Sequence, residues 1–105
     1  MTPQAFLSLL KRKGIKYTVV DRYVDVEGDC DLSNLKLSEI PVQFRVVTGN
    51  FDCDNNQLTS LEGSPGRVGE GFYCDHNPVK FTKADITQAM SRQSAVESVI
   101  DRLLV

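Results

Sequence analysis

The sequence has no long apolar run. Stretches such as Val46–Val47 or Leu103–Val105 hold two or three residues, against the ~20 that a membrane-spanning helix needs. The start, Met1-Thr2-Pro3-Gln4-Ala5, lacks a basic segment followed by an apolar one, so no signal peptide is expected. Cysteine is scarce and odd in number: Cys30, Cys53 and Cys74. That count argues against a disulfide framework and points to a reduced, cytoplasmic setting. Histidine occurs once, as His76, and no P-loop, HExxH or EF-hand spacing is found. No cofactor, no metal and no enzymatic activity are therefore expected.

What remains is ordinary in amount and unusual in distribution. The 105 residues are 41% hydrophobic and 25% charged, the usage of one globular domain. A chain of this length buries roughly 65% of its unfolded surface, enough for a core without staples. Residues 1–22 carry Lys11, Arg12, Lys13, Lys16 and Arg22 against Asp21, a net +4. Residues 23–78 carry ten acids against Lys36, Arg45 and Arg67, a net −7. Residues 79–105 are close to balanced, at +1. The acidic middle would repel nucleic-acid phosphates and attract a basic protein surface.

A self-comparison at an offset of 21 places Val26 on Val47 and Val68, and Cys30 on Phe51 and Phe72. It also places Leu32 on Cys53 and Cys74, Leu37 on Leu58 and Val79, and Ile40 on Leu61. Asp31 falls on Asp52, Asp54 on Asp75, and Asn56 on Asn77. A repeat of this period is the mark of stacked supersecondary units. Phe51 and Cys53 alternate as strand residues facing a core do. Asn56 and Asn77 fall where the chain leaves the strand, and each amide can satisfy backbone groups of neighbouring units. Leu58 and Leu61 return to the interior, and Glu62-Gly63-Ser64-Pro65-Gly66 is turn chemistry.

The pattern Phe51-x-Cys53-x-x-Asn56-x-Leu58-x-x-Leu61 resembles the leucine-rich repeat over residues 24–82. It departs where Leu35 takes the asparagine position, and where Cys30 and Cys53 replace leucine. The layout is further similar to small repeat proteins encoded by tailed bacteriophages. The residues that carry this likeness are Lys16 to Asp21, Val24 to Asp29, Phe51 to Gly63, and Phe81-Thr82-Lys83-Ala84-Asp85. The resemblance implies a fold and a phage source, and no activity.

The expected fold is thus α+β: a short leucine-rich-repeat-like solenoid of about three 21-residue coils between two caps. One domain, 1–105, divides into an N-terminal helix and hairpin cap (1–25), repeats (26–81) and a C-terminal helical cap (82–105). A terminal coil needs such caps because it would otherwise expose apolar edges. Thr2-Pro3 opens the first helix and Gly14 stops it; Phe6, Leu9 and Leu10 form its apolar stripe. Residues 15–20 and 23–27 read as a hairpin around Asp21-Arg22. At the other end Thr82-x-x-Asp85 and Ser94-x-x-Glu97 are helix-start patterns. The second precedes a stripe of Val96, Val99, Ile100, Leu103 and Leu104.

Two clusters invite chemistry. Cys53 and Cys74, with Asp75 and His76, could be read as a metal site. Inward strand positions point into the core, however, and buried thiols acting as small hydrophobes are the simpler account. His76 beside Asp75 lacks a placed nucleophile, and a polar turn residue suffices there. The outward strand positions Asp29, Asp31, Asp52, Asp54, Tyr73 and Asp75 form an acidic row with neighbours ~4.8 Å apart. Such a row either keeps the exposed sheet from pairing or binds a basic partner. The expectation is a non-enzymatic protein-binding module that engages, and by phosphate mimicry inhibits, a bacterial host defence or nucleic-acid-binding protein. A homodimer formed through the caps is one alternative. Nucleic-acid contact through Lys11, Arg12, Lys13 and Lys16 is the other.

Overall fold

The computed structural model describes residues 1–91. Helix α1 spans Pro3–Arg12. Its cap is Thr2, whose side-chain oxygen accepts from the Ala5 N–H at 3.1 Å, and Pro3 occupies a first-turn position that requires no donor. Lys11 and Arg12 lie in the last turn, where cations oppose the helix dipole favourably. Gly14 then reverses the chain at φ +76°. Phe6 and Leu10 are fully buried, so α1 lays one face on the core.

Strand β1 (Lys16–Val20) pairs antiparallel with β2 (Tyr23–Glu27), as the alternation predicts. The chain then makes three bent strand pairs, since β2 continues into β3 (Cys30–Asp31). Likewise β4 (Gln43–Val47) leads to β5 (Phe51–Asp52), and β6 (Arg67–Val68) to β7 (Phe72–Tyr73). Parallel pairing joins residues 21 apart at Val26↔Val47↔Val68 and Cys30↔Phe51↔Phe72, whereas Tyr23↔Gln43 and Val24↔Phe44 are 20 apart, with a register shift between Val24 and Val26. At Gly49 the bends stack so closely that a side chain has no room. A Cβ on Gly49 would lie 2.7 Å from the Gly28 carbonyl carbon. Helix α2 starts at residue 83 and is described through residue 91.

These elements correct the expected solenoid. They form a small α+β fold with two separate sheets, ordered β1-β2-β4-β6 and β3-β5-β7. The first sheet is mixed, because the hairpin assigned to a cap is built into it as β1 and β2. The connections over 32–42 and 53–66 contain no helix or regular strand and do not close into coils. The Cα radius of gyration is 13.3 Å, near the ~13 Å of a compact domain of this length. The physical reason lies in what a 21-residue period specifies. It sets which strands pair, whereas the path between strands is set by the residues of each connection. In 32–42 and 53–66 Leu37, Ile40, Leu58 and Leu61 are buried, but they are carried inward on turns and bends among Ser, Asn, Pro and Gly residues rather than on a regular element. In the third unit the apolar side itself is lost, with Val79 39% exposed and Thr82 where Ile40 and Leu61 stand before it.

One core unites the two sheets and α1. A chain of ring contacts crosses it, Phe6–Phe44 at 6.1 Å, Phe44–Phe51 at 5.6 Å and Phe51–Phe72 at 5.1 Å between centroids. The first two pairs meet edge to face, a geometry that adds about 0.5–1.5 kcal/mol to area burial. Phe81, Ile86 and Ala89 bring the start of α2 against the same core. Thr82 and Asp85 cap that helix reciprocally, with Thr82 N–H donating to Asp85 Oδ2 at 2.8 Å and Asp85 N–H to Thr82 Oγ1 at 3.2 Å. Ser94, Glu97 and the stripe Val96, Val99, Ile100, Leu103 and Leu104 lie outside the described residues.

Candidate functional site

Alternation along β3, β5 and β7 turns Cys30 and Phe51 inward and leaves Asp31, Asp52 and Tyr73 on the outer face. Three rows cross that face at the 21-residue register: Asp29–Asn50–Gly71, Asp31–Asp52–Tyr73 and Ser33–Asp54–Asp75. Acids are adjacent twice, at Asp31–Asp52 and Asp54–Asp75. Asp29, Asp31, Tyr73 and Asp75 are exposed, while Asp52 and Asp54 are half-buried.

Four of these carboxylates also hold backbone. Asp29 Oδ1 accepts the Asn50 N–H at 2.8 Å, and Asn50 Oδ1 in turn accepts the Gly71 N–H at 2.8 Å. Asp31 Oδ1 accepts both the N–H and the hydroxyl of Ser33, at 3.0 and 2.6 Å. Asp52 Oδ1 accepts the Asp54 N–H at 2.9 Å. Asp54 Oδ1 accepts the Asp75 N–H at 2.5 Å. Asp29, Asp31, Asp52 and Asp54 are therefore held in a fixed array by backbone donors.

The electrostatics of adjacent members differ. The Ser33 hydroxyl and N–H hold the Asp31 carboxyl below its ordinary range. Partial burial raises that of Asp52, and the neighbouring charges of Asp54 and Asp31 add to it, with the Asp54 N–H opposing. Of the two, Asp52 thus has the setting less favourable to its charged form.

Asn56 and Asn77 support the face from beneath. Asn56 Oδ1 accepts from Leu35 N–H and Leu37 N–H, at 3.1 and 3.0 Å. Its Nδ2 donates to the carbonyls of Leu32, Cys53 and Asp54 at 2.8, 3.1 and 3.2 Å. Asn77 repeats this one unit on, accepting from Leu58 N–H at 3.1 Å and donating to the carbonyls of Cys53, Cys74 and Asp75. Leu58 and Leu61 are buried beside them.

Three features escape a reading by residue type. Asn34, Asn55 and His76 occupy one column with φ of 58°, 56° and 57°, the left-handed region that asparagine tolerates and most residues avoid. That column shares the 21-residue offset, so its signal lies in the repeat itself. Asn50 is a bridge, with Nδ2 reaching Asp29 and Glu70 as well. Arg45 pairs with Asp25 through two nitrogen–oxygen contacts on the mixed sheet.

The three cysteines are free and buried. Burial pushes the Cys30 thiol up to about 12 and Cys74 to about 11, and raises Cys53 as well. Cys53 Sγ donates to the Tyr73 carbonyl at 3.3 Å. Among the described residues no group of three or more His, Cys, Asp and Glu side chains could hold a metal ion. None of their helices is long and apolar enough to cross a membrane. No protein-family model, curated protein or solved structure matches the chain.

Proposed function

We propose that this chain is a non-enzymatic protein-binding module whose acidic strand face engages a basic surface on another protein. The observation that carries the reading is Asp52. It is half-buried between Asp31 and Asp54, with its carboxyl raised by burial and like charge. A cation arriving there relieves a cost that the fold carries when free. Exposed Tyr73 in the same row offers an aromatic anchor of the kind that contributes packing at interfaces. The partner is a host bacterial protein of defence or nucleic-acid binding, since spaced carboxylates imitate spaced phosphates. The phage source and cytoplasmic setting rest on the sequence resemblance and the cysteine usage.

Affinity capture from a bacterial lysate, run with the parent and with Asp52→Asn/Asp54→Asn, tests the reading. A partner held by the parent and lost from the variant supports it. A partner held equally by both contradicts it. Homodimer formation is the second reading, favoured by the 39% exposure of Val79 where Leu37 and Leu58 are buried. Sedimentation of the purified chain as a monomer at all concentrations would remove that alternative.

A further inference from the structure

We draw no further inference here: the strongest candidate, the mainly apolar groove of about 830 Å³ between the start of β2, the turn at 59–64 and the first turns of α2, carries nothing because nothing in the structure shows what covers it.

Discussion

Asp54 accepts the backbone N–H of Asp75 through Oδ1 at 2.5 Å, so one acid of the face positions the next. The same carboxylate row that a basic partner would read is thereby part of the fold's hydrogen bonding. Stability and binding are separable at this face only by substitutions that keep the oxygen and remove the charge.

Asp52 and Asp31 should respond to pH in opposite senses. Asp52 is raised in the folded state, so its contribution favours the fold below the ordinary value and is lost as pH rises through the folded one. Asp52→Asn keeps the acceptor for Asp54 N–H and should raise the denaturation midpoint at pH 7. The expected gain is about 0.2–1 kcal/mol, the size of like-charge repulsion across strands, and it should vanish below about pH 3.9. Asp31 is lowered, so its contribution is present above the ordinary value and lost as pH falls through the folded one. Asp31→Ala should be less stable at pH 7, with the deficit closing in acid. Urea titrations at pH 7 and pH 3 read both.

Asn56→Ala should cost more than Asn77→Ala. Asn56 is 6% exposed and serves five backbone groups, and each buried group left unpaired costs about 1–3 kcal/mol. Asn77 is half-buried and serves four. Chemical denaturation of the two variants gives the order directly, and equal midpoints would contradict it.

His76 holds a left-handed backbone conformation at φ 57°. His76→Asn should leave stability unchanged or improved, because asparagine suits that region. His76→Val should lower it, since a β-branched side chain crowds the backbone in that region more than the unbranched Cβ of histidine does. Melting curves of the two variants distinguish a conformational role from a chemical one.

The cysteines should be unreactive in the native state. A thiol with its value pushed to about 12, as at Cys30, carries almost no thiolate at pH 7, and all three are buried. Ellman's reagent should label none of them promptly until denaturant is added. Rapid labelling of the folded chain would contradict the burial.

The local elements are largely legible in the sequence. Thr2-Pro3 and Gly14 bound α1, alternation on either side of Asp21-Arg22 gives the hairpin, and the offset of 21 identifies the parallel strand partners from Val26 onward, though not Tyr23↔Gln43 and Val24↔Phe44 before the register shift. Closure of the repeat is not legible, because Phe51 and Cys53 specify a strand without specifying how residues 53–66 return. The site is legible in outline, since Asp31 and Asp52 share a parity and a register. Their attachment to Ser33 and Asp54 is not, because two-residue bends are set by backbone dihedrals that residue types only bias. Asn34, Asn55 and His76 show the limit well: their common offset marks them as equivalent, while the histidine disguises a requirement for positive φ.

The most direct test is the binding kinetics of a captured partner to the parent, Asp52→Asn/Asp54→Asn and Tyr73→Ala over a range of salt. If the acidic face is the interface, the double variant loses association rate, and the loss shrinks as salt rises. Tyr73→Ala instead speeds dissociation with little effect on association. Unchanged rates for the double variant at low salt would contradict the account and leave the carboxylates as a solvated, structural face.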